Sequence, residues 1–271
     1  MQLDVLFEDE DVLVINKPSG VVVNRSETNP APTIQDWMVS ERGVLAMNAD
    51  PQTWASLVPS DFTPEYGTPE SIFTERLGVV HRLDKDTSGA LVLAKNPGSL
   101  VHLLRQFRVR EVTKTYVCLA HGAFSQPNGE VTAPIGRISA NRKLFGIVSS
   151  GRPAVTNYQI EQYFTRLKPN LLTGQDAKQA ERIYQGFSLV KCWPKTGRTH
   201  QIRVHLKHLQ HPLVGDQQYG GKKRAKLDVL WCPRQFLHAA QITFMHPRTA
   251  QMQTIDAPLA ADLQLVLAGL E

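Results

Sequence analysis

Long hydrophobic runs are missing from this 271-residue chain. No stretch approaches the roughly 20 apolar residues that a helix needs to cross a bilayer. Cysteine is scarce: Cys118, Cys192 and Cys232 are odd in number and widely scattered, which excludes a disulfide framework and any Cys-x-x-Cys site. Two of them lie in apolar, strand-like runs, and buried thiols acting as small hydrophobes account for them. The start, Met1-Gln2-Leu3-Asp4, lacks the basic-then-apolar layout of a secretory signal and is too acidic for a typical transit peptide, so the expected compartment is the cytoplasm. Internal repeats, low-complexity tracts and clear linkers are also missing, as is a Gly-x-Ser-x-Gly nucleophile elbow. A phosphate-cradling loop is only mimicked by Gly215 to Lys222: its spacing is off by a residue, and Arg224, not Ser or Thr, follows Lys223.

What is present describes a globular protein, with 42% hydrophobic and 20% charged residues. Its length allows one large domain or two small lobes. Net charge is +5, but the charge is unevenly spread. Between Lys191 and Lys226 nine Lys or Arg residues face one acid, Asp216, an excess of eight that is larger than that of the whole chain. Arg105, Arg108, Arg110 and Lys114 form a second concentration. A solvated basic face is one reading; phosphate contacts with strongly salt-dependent binding are the other.

Periodicity predicts a β-hairpin at the start, with Val5 and Phe7 alternating, a turn at Asp9-Glu10-Asp11 and a strand from Val12 to Ile15. Thr33 begins a short helix with Ile34, Trp37 and Met38 on one face. Pro51, Pro59, Pro64 and Pro69 interrupt any long element across 44–72, which reads as an inserted loop region. Ser99 is placed to cap a helix carrying Leu100, Leu103, Leu104 and Phe107. Strands are expected at Thr115–Ala120, Val155–Phe164, Phe187–Trp193 and Phe236–Met245, a long polar connection from Pro169 to Gly186, and a helix within Thr199–Gln210 that buries Ile202, Leu206 and Leu209. Asp262 is the expected cap of a last helix through Leu263, Val266, Leu267 and Leu270. Strands predominate without regular alternation with helices, so the fold class is α+β on a mixed or antiparallel sheet with flanking helices.

The densest chemistry lies at His81-Arg82-Leu83-Asp84-Lys85-Asp86-Thr87-Ser88-Gly89, between the apolar runs Leu77–Val80 and Ala90–Leu93. Two carboxylates, two fixed cations and two hydroxyls share one turn, where a rigid scaffold displays chemistry. An Asp84 paired with arginine is held ionised and aimed, as a nucleophile requires. A charged turn satisfying its own backbone through Asp86, Thr87 and Ser88 is the bland alternative.

This stretch resembles the signature of the RluA family of pseudouridine synthases, RNA-modifying enzymes that convert a uridine into its C-linked isomer. Other segments resemble that family in the same order: Glu8 to Gly20, Lys114-Thr115-Tyr116, Thr196 to His205 with His211 to Asp216 close behind, and Arg234 to Ala239. The resemblance runs from about residue 5 to about residue 260. It implies one catalytic domain over 1–271 built around a long sheet, with a cleft between two lobes, without a separate RNA-binding domain in front, and working as a monomer. It also implies a uridine in ribosomal or transfer RNA as substrate, and a reaction that needs no cofactor because nothing is oxidised and no group is donated.

By the same resemblance Asp84 is the catalytic carboxylate, which either adds covalently to the nucleoside or stabilises positive charge at C1′. Arg203 is the candidate cation to pair with Asp84. Tyr116 offers a face for stacking on the loosened uracil and a hydroxyl for proton removal; an ordinary core aromatic is its plain alternative. Arg82 is suited to fill the place of an extruded uridine. Arg198, His200, Lys222, Lys223 and Arg224 are candidate RNA contacts, and His81, Thr87 and Ser88 are expected to shape the loop. His200, His205, His208 and His211 invite a metal reading, but they lack helical i, i+4 pairing and Cys or Glu companions, so no metal is expected. An RNA chaperone on the same fold, and a hydrolase cleaving a glycosidic bond with Asp84 alone, are the competing functions; Asp84, Tyr116 and Arg203 together weigh against both.

Overall fold

The opening alternation builds the expected hairpin: β1 (Asp4–Glu8) pairs antiparallel with β2 (Val12–Lys17). In this computed structural model, which describes residues 1–27, 31–44, 50–169 and 171–271, one carboxylate ties the turn. Asp9 Oδ1 accepts the amides of Asp11 at 2.9 Å and Val12 at 2.8 Å. Helix α1 (Ile34–Ser40) starts after Thr33 as predicted, with Thr33 and Asp36 forming a reciprocal capping box.

The proline-rich stretch is more ordered than its composition implies. Residues 45–49 lie outside the described residues. Beyond them run the 3-10 turns Pro51–Thr53, Ala55–Leu57 and Pro64–Tyr66, then helix α2 (Pro69–Arg76). Pro69 sits in its first turn, where a missing amide breaks no hydrogen bond, and Thr68 caps it. A proline read as an interruption is therefore a helix start. After β3 (Ser88–Ala94), helix α3 (Pro97–Val109) begins earlier than expected. Its cap is Asn96, whose Oδ1 accepts the Ser99 amide at 2.8 Å; Ser99 itself is buried within the first turn.

Strands β4 (Thr113–His121), β5 (Asn128–Thr132), β6 (Ile135–Ile138), β7 (Asn141–Ile147) and β8 (Val155–Phe164) follow. The expected polar connection contains helix α4 (Gly174–Ile183), missed because only Ala180 is buried, with Ala177 and Ile183 half-buried beside it. Then come β9 (Phe187–Pro194), α5 (Gln201–His208), α6 (Lys222–Asp228), β10 (Leu237–Met245), β11 (Met252–Asp256) and α7 (Ala261–Ala268). Asp262 is not the cap of α7: it lies inside the first turn, and its carboxylate is taken by Arg234, with Nη2 to Oδ1 at 2.9 Å. No helix among the described residues is long and apolar enough to cross a membrane.

The chain forms two compact units, Met1–Lys114 with Ala239–Pro258, and Thr115–His238 with Leu259–Glu271. In the first, the strands run in the order β1, β2, β3, β10, with β11 paired to the Gln241–Met245 end of β10. Strand β3 is buried along its whole length, and β2 lies antiparallel to it from Val12 opposite Ala94 to Lys17 opposite Gly89. In the second unit the order is β4, β9, β8, β5, all antiparallel, with β6 and β7 as a separate hairpin. Its core gathers Leu119, Phe187, Val214, Phe236, Leu263 and Val266, and beside these Cys118, Val190, Cys192, Leu206 and Leu213. All three cysteines are buried, as expected. Strand-dominated, non-alternating elements on antiparallel pairings make this the α+β fold read from the sequence.

Asp11 ties β2 to α3 and to the turn before β11. Its fully buried carboxylate receives a fork from Arg248 (Nε to Oδ2 2.6 Å, Nη2 to Oδ1 2.8 Å) and the Asn96 amide at 2.8 Å. Burial alone would raise its pKa, but the bonds from Arg248, Asn96 and Ser99 outweigh it and hold the carboxyl below its ordinary value. A carboxyl depressed in the native state stabilises the fold above its unfolded pKa, and that stability is lost as pH falls through the native value. Asp11→Ala is therefore expected to cost about 1–3 kcal/mol at neutral pH, measured by chemical denaturation. The deficit should shrink below about pH 4; an equal deficit at pH 3 and pH 7 would show the carboxylate's charge to be irrelevant.

Candidate active site

In the first unit, the loop carrying Asp84 connects Leu77–Val80 to β3. Gly78 accepts the Ala94 amide at 2.8 Å, so the approach to the loop runs beside the end of β3. Its exit needs glycine: Gly89 has φ +114°, and a Cβ there would lie 2.2 Å from the Ala239 carbonyl oxygen. Between these points the Asp84 carbonyl accepts the Thr87 amide at 3.1 Å, forming the turn.

The middle of the loop is fastened by Lys17, at the end of β2 and fully buried. Its ammonium donates to the carbonyls of Pro18 (2.7 Å), Val21 (2.9 Å) and Lys85 (3.0 Å). The Lys85 carbonyl also accepts the Gly20 amide at 2.9 Å. The carbonyl of Lys85, the residue after Asp84, is thus clamped to the segment following β2. Lys17 lies in the family-like segment Glu8–Gly20 with no role legible from the sequence; a lone lysine closing the apolar run Val12–Ile15 was the available signal.

His81 is structural, as expected. Its Nε2 accepts the Val92 amide at 3.0 Å and its ring stacks on Phe107 with centroids 4.7 Å apart. Burial and the neighbouring Lys114 ammonium push its pKa down to about 3, so the ring is neutral and acts as an acceptor. Thr87 and Ser88 are buried, Asp84 is half-buried, and Arg82, Lys85 and Asp86 are exposed.

In the second unit, Tyr116 lies on β4 opposite Cys192, partly buried against the cluster around Cys118 and Val190. Arg203, on α5, is almost fully buried and forks onto Asp216, Nε to Oδ2 at 2.7 Å and Nη2 to Oδ1 at 2.9 Å, with Gln218 Oε1 2.9 Å from Nη2. Asp216 Oδ1 also accepts the amides of Gln218 and Tyr219 at 3.0 Å. The guanidinium lies over the Tyr219 ring, 4.8 Å from its centroid. Asp216 and Tyr219, which position this cation, were given no role from the sequence.

The candidate RNA contacts differ in how committed they are. Arg198 Nε donates to the Pro153 carbonyl at 3.2 Å, and His200 Nδ1 is 2.7 Å from the Tyr219 hydroxyl, which also accepts the Phe145 amide at 3.1 Å. Lys222 and Lys223 are exposed at the start of α6, while Arg224 is half-buried beside them. The other histidines point to separate partners. His205 holds Thr156 Oγ1 and the Ala133 carbonyl, and His211 holds the His121 carbonyl and stacks on Phe124. Among the described residues no group of three His, Cys, Asp or Glu side chains is arranged to hold a metal. The β6–β7 hairpin, missed as an element, exposes Arg137, Arg142 and Lys143. Its signal was legible as a run from 131 to 160 without a single acid.

Comparison with known proteins joins these observations. The model of a family described as RNA pseudouridylate synthase matches residues 11–208. An RNA pseudouridine synthase of Bacillus subtilis, YlyB, is 34% identical over 270 residues, spanning 100% of this chain and 73% of that protein. Ribosomal large subunit pseudouridine synthase D of Haemophilus influenzae is 34% identical over 277 residues, covering 99% of this chain and 71% of its own. The fold is shared with human RNA pseudouridylate synthase domain containing 4, at TM-score 0.63 and 23% identity, over 99% of this chain and 94% of that one. With the match to the family model, and with relatives at this identity along its whole length, the chain belongs to the RluA family of RNA pseudouridine synthases, which are isomerases.

Proposed function

We propose that this protein isomerises specific uridines of ribosomal RNA to pseudouridine, with Asp84 as the catalytic carboxylate. The observation that carries the reading is the fastening of Asp84's own turn by the buried Lys17 ammonium, which holds one acid in place on a loop that otherwise displays its charges to solvent. Ribosomal RNA is preferred over transfer RNA because relatives matching this chain along almost its full length carry ribosomal large subunit names. The compartment that fits such a substrate is the cytoplasm, and the working form is a monomer.

Isomerisation breaks the N1–C1′ bond, turns the uracil and rejoins it through C5. A carboxylate serves the first step by bonding to the nucleoside or by balancing positive charge at C1′, as glycosidase carboxylates do. The uridine must first leave the helical stack, at a cost of a few kcal/mol, and the exposed Arg82 is the side chain to fill the gap by stacking and hydrogen bonding. Tyr116 supplies a flat face and a hydroxyl for the detached base. Arg203, held by Asp216 and Gln218, is the cation that pairs with Asp84 and fixes its orientation. Lys222, Lys223 and Arg224 hold phosphates as point charges, and the hairpin cations Arg137, Arg142 and Lys143 extend that role. Arg198 and His200, whose polar atoms are engaged within the protein, shape the surface that RNA meets.

Asp84→Asn should reduce kcat by about 10⁴-fold or more, the scale of removing a nucleophile, in an assay of pseudouridine in ribosomal RNA from cells lacking the protein. Full activity of the Asn variant would remove Asp84 from the reaction, and release of free uracil by the wild type would favour a hydrolase. Lys17→Met replaces the ammonium by an apolar chain of similar length, and displacement of the loop is expected to lower kcat by about 100-fold with RNA affinity retained. Unchanged kcat in a folded Lys17→Met protein would mean that the clamp is not needed for catalysis. Replacing Lys222, Lys223 and Arg224 together by Gln should flatten the plot of log K against log salt by roughly 0.7–0.9 per lost phosphate contact; an unchanged slope would exclude them as phosphate ligands.

A further inference from the structure

The described part of the 44–72 stretch, read from the sequence as an inserted loop region, builds a pocket that the chemistry above does not use. A cavity of about 430 Å³ lies in the first unit between this segment, α2 and α3, within the usual range of ligand sites, about 300–1,000 Å³. Pro59, Phe62, Ile72, Val101 and Leu104 form its apolar lining, and Arg76, Arg105 and Arg108 stand around it with Asp61 and Glu75.

The wall is preformed. Trp54 and Leu57 are buried, and the segment approaches α3 so closely that a Cβ on Gly98 would lie 2.2 Å from the Trp54 carbonyl oxygen. Arg105 is committed to this wall, its Nε 2.9 Å from both oxygens of Asp61. Arg105 takes the short pairing with Asp61, and the other two arginines stand exposed at the pocket's edge. Arg108 is 64% exposed and no closer than 3.9 Å to Asp61, and Arg76 is exposed in the last turn of α2. Helix α3 also joins the pocket to the loop of Asp84, since Phe107, next to the lining residues in sequence, stacks on His81.

An apolar pocket with guanidinium groups at its edge matches an unstacked base with its phosphate: the base lies against carbon, and the phosphate meets arginine. We propose that this pocket binds one unstacked nucleotide of the RNA substrate, at a position other than the target uridine, with the base against Phe62, Ile72, Val101 and Leu104 and the phosphate on Arg76 and Arg108. The inference rests on RNA being the substrate but not on the role of Asp84. Specificity for a single-stranded feature near the modified site follows, because a base locked in a duplex cannot enter.

The test uses the full chain with methyl-labelled Ile, Val and Leu, titrated with a mixed-sequence single-stranded hexaribonucleotide and with the same strand in a duplex. The Ile72, Val101 and Leu104 methyl signals should shift with the single strand and not with the duplex. Leu104→Trp, which fills the pocket, should abolish the shifts at Ile72 and Val101, and Arg76→Glu with Arg108→Glu, which removes the phosphate contacts, should weaken binding about tenfold and flatten its salt dependence. In the modification assay Leu104→Trp should raise KM for RNA about tenfold with kcat within about twofold; Phe62→Ala, which removes rather than adds bulk, should act in the same direction. The Asp84→Asn protein should show the same methyl shifts, so an error in the catalytic assignment would leave them intact. Methyls that stay still with RNA in a wild type that makes pseudouridine, or that answer to an acidic peptide instead, would overturn the pocket's assignment alone.

Discussion

A lysine side chain with no access to solvent, donating to three backbone carbonyls, is the interaction on which the arrangement of the reactive loop depends. Burying an ammonium costs several kcal/mol after relaxation, and that cost is offset only when its donors are matched by acceptors. Lys17 meets the carbonyls of Pro18, Val21 and Lys85 at 2.7 to 3.0 Å. A lysine suits the position because its three rotatable donors can reach acceptors in different directions, whereas a guanidinium imposes a plane. Two of the acceptors lie in the segment after β2 and the third is the carbonyl of Lys85, the residue after Asp84. The same group that terminates the strand therefore fastens the turn that carries the proposed catalytic carboxylate.

Around this point, neutral and charged groups divide the work. His81, Thr87 and Ser88 satisfy backbone or packing needs from within, and His81 stays neutral because burial and Lys114 oppose its protonation. The charges of Arg82, Lys85 and Asp86 face outward. The second unit follows the same logic with arginine: Arg203 is buried and directed by Asp216, Gln218 and the Tyr219 face, while Lys222 and Lys223 remain solvated. Directed guanidinium groups suit chemistry at one atom, and solvated ammonium groups suit a phosphate chain whose details vary along its length.

What was legible in the sequence followed the strength of local patterning. The β1–β2 hairpin, the Thr33 cap, β8 and the buried face of α5 were readable because periodicity and cap chemistry agree there. Helices α2 and α4 were not: one opens on a proline that also reads as a breaker, and the other has almost no apolar stripe and relies on tertiary contact. The start of α3 moved to Asn96 because Ser99 is drawn inward to Asp11, and the Asp262 cap failed because Arg234 takes its carboxylate. These competing partners are distant in sequence, which local patterning cannot see. At the site, the candidate side chains were named from motifs, whereas Lys17, Asp216 and Tyr219 were invisible, because a positioning residue is defined by what it touches.

On the proposed reading, the proline-rich segment carries a recognition role that the motif residues do not. Motif residues serve a reaction common to every target uridine and so say nothing about which RNA is chosen. Selection among RNAs needs contacts whose shape can change without disturbing the carboxylate. A segment seated on α3 through Trp54, Leu57 and the bare Cα of Gly98 meets that condition: it rests on the helix that backs the loop, yet contributes no atom to the Lys17 clamp. Chemistry and recognition can then diverge at separate rates on one scaffold, with α3 as the element that both must accommodate.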